Sequence, residues 1–543
     1  MNVPALRTFL LWSALVAMAM AWRGALPKAD LTRRSSSIGR VEVEVGSSGL
    51  QFRGPEGCTV HVTTDGRTPT TTDRVIHGTM PIQADHRSAD AWMRIPTSVQ
   101  WRPPVPGLPA ALTARATACS DGTCGPVTTR TVLLHAHSLP VLALVADPGA
   151  FFDPDSGIYV TGHGIFRTVE DAVRRFPRDH RWWKYPGNFQ FRGKAWERQA
   201  HAELIDGRGA QQWSGAVKLR INGNNTRGFP QHALRMKLPV SSVAWCGEER
   251  GVGHRMLVLR AGGNDQADSF LRDVVQHGLC ARLPFETSGS TAVVVYLNGA
   301  YWGLHHVRER IDAKELARRH GGDAKAYTIL EDRLLLYEGD HAEVKRFERM
   351  ITMAERWDPL GVHYVDSLEH RMDVDGFLTY MAAQIILGNL DWPDQNVKYW
   401  RWTGPRDTVG VPRDGRWRFI MGDSDMGLGY AGPVTVDLFL HVERHQGPVA
   451  QLYKAVLRSP VLRQRFRAIT LGLLDGALSG ATMVAAIDAE AARLAPEMGL
   501  HVARWRRPGS VAQWTRKVED LRTFARARGE LVRAQLEQHV PAH

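Results

Sequence analysis

An aspartate with an asparagine five residues on, and a later aspartate behind a short apolar stretch, stand in N-L-D-W-P-D-Q-N-V-K-Y-W (389–400) and W-R-F-I-M-G-D-S-D-M-G (417–427). These are the residue types that phosphoryl transfer to a hydroxyl needs. Asp391 can accept the hydroxyl proton, while Asn396 and Asp423 can hold divalent cations on a triphosphate, with Asp425 beside them. Asp391 follows an apolar helix-like run (377–390), and Asp423 and Asp425 follow the strand-like R-W-R-F-I-M. A helix end and a strand end delivering acids to one point suits metal coordination. Plain Asp turns are the alternative, and four acids (Asp391, Asp394, Asp423, Asp425) beside segments that should be buried argue against it. An Asp-x-x-x-x-Asn spacing alone arises by chance in many chains, so the upstream elements decide.

Those elements come in a telling order. V-K-L-R-I-N-G-N-N-T-R-G-F-P-Q-H-A-L-R-M-K-L (217–238) reads as two strands around a loop with Gly223 and Gly228. Its backbone amides can approach phosphates with help from Arg227. The glycine spacings of Walker-A and eukaryotic kinase loops are missing, and a tight hairpin fits the string equally well. In the second strand Leu234, Met236 and Leu238 share one face, and Arg235 and Lys237 the other. Either cation could meet phosphate oxygens, or both are solvated side chains. A helix is expected from Asp265 to Arg282, with Asp268 and Arg272 on one face. Asp268 could orient Lys237, or simply complement the helix dipole. Asn298-Gly299 between apolar runs marks a hairpin, and Glu309 at its end could sit at a hinge near an adenine. Helices are expected over 312–320, 340–357 and 366–390, strands near 397–402 and 416–422, and arginine-rich helices from about 447. This is the order of an α+β, bilobal, protein-kinase-like fold.

The chain has 543 residues and a formal charge of +12, which suits anionic partners such as nucleotides without choosing among them. No nucleic-acid motif is recognisable. There is no H-E-x-x-H pair and no G-x-S-x-G elbow, so zinc-protease and serine-hydrolase chemistry of those types has no support. Residues 1–24 carry a near-continuous apolar run, Phe9–Trp22, between Arg7 and Arg23, the profile of a signal peptide or N-terminal anchor. Either one places the bulk of the chain outside the cytoplasm: periplasmic, on the cell surface or secreted. A polar linker is expected over 25–40. Cys119 and Cys124 bracket the turn-like S-D-G-T, where a small disulfide loop is plausible. Short alternating strands over 41–135 argue for a small all-β Ig-like sandwich.

The segment T-T-D-G-R-T-P-T (63–70), with A-L-T-A-R-A-T-A-C (111–119), resembles the β-module at the C-termini of chitobiase-type enzymes. That implies an accessory unit, with surface-glycan binding as one role. The blocks F-D-P-D-S-G-I-Y-V (152–160), R-I-N-G-N-N-T-R-G-F-P-Q-H-A-L-R-M-K-L, N-D-Q-A-D-S-F-L-R-D, V-Y-L-N-G-A-Y-W-G-L-H-H-V-R-E-R-I-D, D-W-P-D-Q-N-V-K-Y-W and G-D-S-D-M-G together resemble the spore-coat protein H (CotH) kinase family over roughly 139–540. The resemblance implies an atypical kinase-like domain over 139–543, with an N-lobe to about 311 and a C-lobe from 312. It implies phosphorylation of Ser/Thr on extracytoplasmic proteins, using ATP and Mg²⁺ or Mn²⁺. Lys237 would then hold phosphates, Asp391 would be the base, Asn396 and Asp423 would bind metal beside Asp425, and Glu309 would be the acid after the hairpin. The chain departs from the family at Gln231–Leu234, where a lysine-rich stretch is usual. A non-catalytic surface or matrix binding protein on the same scaffold is the main competing reading. Transfer of AMP or glutamate is another.

Overall fold

The computed structural model describes residues 38–162, 181–240, 242–406 and 412–542. The N-terminal apolar run and most of the linker lie outside them. Among the described residues no single helix is long and apolar enough to cross a membrane.

The N-terminal segment folds as β1 (Glu42–Gly46), β2 (Gly49–Arg53), β3 (Thr59–Thr63), β4 (Arg74–Val75), β5 (Thr79–Met80), α1 (His86–Met93), β6 (Ala111–Ser120), β7 (Thr123–Cys124) and β8 (Thr128–Leu133). Two sheets, β1-β2-β5 and β4-β3-β6-β7 with β8 on β6, enclose a small core that includes Leu50, Phe52, Val60, Val62 and Leu112. Cys119 and Cys124 form a disulfide. The all-β expectation for this segment is corrected by α1. Asp85 caps that helix through the Ser88 amide at 3.0 Å, and Ala89 and Met93 join the main core of the molecule. Ala110 bridges Ala300, so this segment is built onto the larger unit rather than strung beside it.

A seven-stranded closed barrel follows: β9 (Val141–Val145), β10 (Arg198–Ile205), β11 (Gln211–Ile221), β12 (Leu234–Lys237), β13 (Met256–Arg260), β14 (Ser290–Leu297) and β15 (Ala300–Glu309), in the order β10-β11-β12-β13-β15-β14-β9. Helix α2 (Pro148–Phe152) follows β9, and α3 (Arg272–Leu279) lies between β13 and β14. Asn298 and Gly299 both take positive φ, which gives the expected tight turn of the β14–β15 hairpin. Leu219, Leu234, Met236, Leu257 and Leu259 fill the interior. Antiparallel pairing sets Arg235 opposite Val258 and Lys237 opposite Met256, so these residues share the outer face of β12–β13. The continuous helix expected from Asp265 is replaced by a short turn and then α3. The Asp265 carboxylate accepts from the amides of Leu271 and Arg272 (2.9 and 3.0 Å) and from the Ser269 hydroxyl, and Phe270 sits at φ 67° between turn and helix.

The remainder comprises α4 (Ala313–His320), β16 (Tyr327–Glu331), β17 (Leu335–Glu338), α5 (Ala342–Arg356), α6 (Tyr364–Glu369), α7 (Val374–Leu387), β18 (Val397–Trp402), β19 (Arg418–Met421), α8 (Leu438–Arg444), α9 (Pro448–Val456), α10 (Pro460–Asp475), α11 (Gly480–Trp505) and α12 (Val511–His539). The helix expected over 366–390 is two helices, because Asp373 starts a new one by capping the Gly376 amide. Helix α7 is buried on all sides and carries the loop of Asp391 at its end. A second sheet runs β17-β16-β18-β19. Its β19 edge pairs with the segment leading into β14, through Glu286 N to Phe419 O at 2.9 Å and Met421 N to Glu286 O at 2.8 Å. Helix α11 locks onto β15: Trp505 Nε1 donates to Trp302 O at 2.8 Å, and Leu304 N donates to His501 Nδ1 at 3.1 Å.

Candidate functional site

Four segments meet at one cavity of about 190 Å³. The loop after α7 brings Asp391 and Asn396, the end of β19 brings Asp423, and the Asn222–Thr226 loop with Val258 and Arg260 closes it from the barrel side. Asn396, at φ 57°, donates its side-chain amide to Asp391 Oδ2 in a short hydrogen bond, which leaves its own oxygen free. Gly422 lies so close to the Asn396 carbonyl that any Cβ would collide with it, which is how β18–β19 pairing places Asp423 beside the Asp391 loop.

Helix α3 braces the other side of the Asp423 segment. Ser424 N donates to Asp273 Oδ1 at 3.1 Å, and Gln276 Nε2 donates to Ser424 O at 2.5 Å. His277 accepts the Ser288 amide on Nδ1 and so donates from Nε2 to Gly422 O at 2.9 Å. Its role is positional, and burial pushes its pKa down to about 4.

Arg260, at the end of β13, reaches Asp423 at 2.5 Å and Asp425 at 2.7 Å. Arg308 pairs with Asp273. Four carboxylates (Asp273, Asp391, Asp423, Asp425) thus face two guanidinium groups, and burial and neighbouring charge shift three of them. Burial, then the charges of Asp423 and Asp332, raise Asp391, with Asn396 offsetting part. Burial and the charge of Asp423 push Asp425 up to about 7 against Arg260 and Asn264. Burial works to raise Asp423 too, but Arg260 overcomes it and holds Asp423 below the ordinary carboxylate range.

Asp391, Asn396 and Asp423 are hard oxygen donors on one cavity, the donor set that suits Mg²⁺ or Mn²⁺. Asp425 does not complete it. It is buried, and its oxygens already accept from Asn264 N (2.8 Å), Asn264 Nδ2 (3.0 Å) and Arg260.

The other expected site residues separate. Lys237 is exposed and lines a neighbouring cleft of about 1330 Å³ between the barrel and α4, not the aspartate cavity. Arg235 lines that cleft too, but its Nη2 points to Asn222 Oδ1 at 3.4 Å, at the junction of the two spaces. Asp268 pairs with Arg272 at 3.7 Å and Lys517 at 3.9 Å, and does not orient Lys237. Arg227 is buried and donates to the carbonyls of Ile221, Gly223, Phe189 and Phe191, so it shapes the loop rather than facing a phosphate. Glu309 is turned away from the cleft, where it accepts from Gly289 N at 2.6 Å and from Arg319 at 2.7 Å. Asp394 pairs with Arg333 at 2.6 Å. The residues that sequence reasoning overlooks are Arg260, Asn264 and Asp273. For Arg260 and Asn264 the sequence signal is a charge at the end of M-L-V-L-R followed by A-G-G-N, and Asp273 closes the N-D-Q-A-D-S-F-L-R-D block.

A family model described as CotH kinase protein matches residues 219–532, which span the Asn222–Thr226 loop, Arg260, Asp391, Asn396 and Asp423. No curated protein matches the chain.

Proposed function

Because this chain belongs to the CotH kinase family, we propose that it transfers the γ-phosphate of ATP to a Ser or Thr hydroxyl of an extracytoplasmic protein. Kinase-like function follows from the membership; the acceptor, the residue roles and the compartment are our reading. The observation that carries it is the convergence of Asp391, Asn396 and Asp423 with the Asn222–Thr226 loop on one cavity. In this reading the barrel half, about 139–311, and the half from 312 act as the two lobes of a kinase-like unit. The triphosphate lies in the smaller cavity, and the nucleoside extends past Arg235 toward the larger cleft.

Asp391 takes the acceptor proton as the hydroxyl oxygen bonds to the γ-phosphorus. The bond from that phosphorus to the β-γ bridging oxygen breaks, and ADP leaves with the electron pair. The raised pKa of Asp391 makes it a better proton acceptor than an exposed aspartate. Asn396 and Asp423 would hold Mg²⁺ or Mn²⁺, which supplies charge stabilisation of the phosphates. The Cys119–Cys124 disulfide and the apolar Phe9–Trp22 run support an oxidising, extracytoplasmic setting.

The test is transfer of labelled γ-phosphate by the full chain with Mn²⁺. Asp391→Asn should lower kcat by roughly 10²–10⁴-fold with ATP binding retained, the range for loss of a general base. Asp423→Asn should lose metal-dependent ATP binding. Undiminished transfer in both variants would rule out this site.

A further inference from the structure

One guanidinium serves three carboxylates at the floor of the aspartate cavity. Arg260 Nη2 donates to Asp423 Oδ1 at 2.5 Å and to Asp425 Oδ2 at 2.7 Å, and Nη1 donates to Asp423 Oδ2 at 3.2 Å. Nε lies 3.4 Å from Asp273 Oδ2. Gly263, at φ 61°, lies so close that a Cβ there would strike both Asp425 Oδ2 and Arg260 Nη2, so backbone and guanidinium are packed without slack. The Asp423 side chain keeps 32% exposure toward the cavity, against 2% for Asp425.

We propose that Arg260 is the resident counterion of the metal site. It holds the charge position that a divalent cation takes up at Asp423, and cation entry redirects it from Asp423 to phosphate oxygens. This rests on the phosphotransfer reading and adds a residue that sets metal affinity. Arg260 grips both oxygens of Asp423, and a metal bound there must share or displace that fork. Arg260 already lines the same cavity as the Asn222–Thr226 loop, and a planar fork of N–H donors suits phosphate as well as carboxylate. Its grip on Asp425 does not depend on Asp423, so release from one carboxylate leaves the other paired. A purely structural clamp predicts the opposite effect. Without it Asp423 would lose orientation, and metal affinity would hold or fall.

The test is Mn²⁺ titration of the full chain without nucleotide, read as free Mn²⁺ by electron paramagnetic resonance, with circular dichroism confirming the fold. Arg260→Gln, which can still donate to Asp425, should bind Mn²⁺ about tenfold more tightly than the unaltered chain, the scale of one charge-assisted hydrogen-bonded pair. Its affinity for ATP at saturating Mn²⁺ should fall. Arg260→Lys keeps the charge but not the fork, and should bind Mn²⁺ about threefold more tightly; it carries the test if the glutamine variant does not fold. Mn²⁺ affinity equal to or below that of the unaltered chain in a folded variant overturns the proposal. If Asp423→Asn leaves Mn²⁺ binding intact, the metal-site reading falls and takes this inference with it. If binding needs Asp423 but the Arg260 variants do not tighten it, only the inference falls.

Discussion

Two clusters of buried and half-buried acids lie on opposite sides of the β13–β15 pair, and they are built to opposite ends. Around Glu309, the carboxylates of Glu286, Glu309 and Glu315 meet Arg250, Arg318 and Arg319, acid for base. His254 completes the cluster at 3.4 Å from Glu315. Its ligand atoms are close enough to hold a metal ion, but the guanidinium groups already balance the charge. Around Asp423, four carboxylates meet two guanidinium groups and open on a cavity. The first cluster is a closed brace. The second has more carboxylates than guanidinium groups, an imbalance that a bound cation would relieve. Burial of acids alone does not distinguish them; the charge balance does.

The largest effect should come from breaking the closed cluster. Glu309→Ala removes the acceptor of Gly289 N and one of the three carboxylates that face Arg250, Arg318 and Arg319, and loss of one member of such a network typically destabilises by about 3–5 kcal/mol. Urea unfolding measures it. The folded fraction should still bind Mn²⁺ through Asp423, and loss of that binding without loss of stability would invert the comparison.

A buried acid with no ion pair among the described residues shows what burial does without a counterion in contact. Glu203 on β10 is fully buried, and neither oxygen makes a hydrogen bond of normal geometry. Burial pushes its carboxyl up to about 7, with Thr131 and Arg130 offsetting only part. The native state therefore binds more protons than the unfolded chain between the ordinary 4.5 and about 7. Stability from this group is full below that window and falls as pH rises through it, by on the order of 3 kcal/mol. Glu203→Gln should flatten the profile. Glu315 in the closed cluster has the opposite sign. Burial would raise it, but His254, Arg318 and Arg319 hold it well below its ordinary 4.5, so its contribution is present above that value and is lost as pH falls below it.

The same contrast explains which parts of the site are legible in the amino-acid sequence. Asp391, Asn396 and Asp423 stand next to the apolar runs of α7 and β19, so local pattern alone puts them at the edge of a core. The β14–β15 hairpin is legible because Asn298-Gly299 is a local turn signal. Arg260 is not, because M-L-V-L-R reads the same whether its arginine meets water or three aspartates. Lys237 looks functional for a matching reason: alternation along β12 puts it on the cleft-side face but says nothing of how far along the cleft it lies. The parallel pairing of β9 with β14 that closes the barrel joins segments about 150 residues apart, and the turn at Phe270 depends on an Asp265 carboxylate whose partners come together only in three dimensions.

Adding metal sharpens the comparison at the next scale. Mn²⁺ at one hundred times its dissociation constant should raise unfolding free energy by about 2.7 kcal/mol if it binds only the native state. The gain should vanish in Asp423→Asn and persist in Glu315→Gln. Stabilisation that survives the first change and not the second would move the metal to the cluster around Glu309.

The smallest effect is expected at Lys237, and it decides how the cleft is divided. Its side chain is exposed and has no ion pair among the described residues, so Lys237→Ala should change stability by no more than about 0.5 kcal/mol. Because it lines the larger cleft and not the aspartate cavity, phosphate transfer should lose less than about tenfold in kcat/KM, mostly through KM, as for a residue that binds ground and transition states alike. A lysine in direct contact with the transferred phosphate would instead lower kcat by orders of magnitude, as Asp391→Asn should. A kcat loss of that size at Lys237 would mean that the two cavities close into one around the nucleotide. The cation at the phosphates would then be Lys237, and Arg260 would return to being a brace for Asp425.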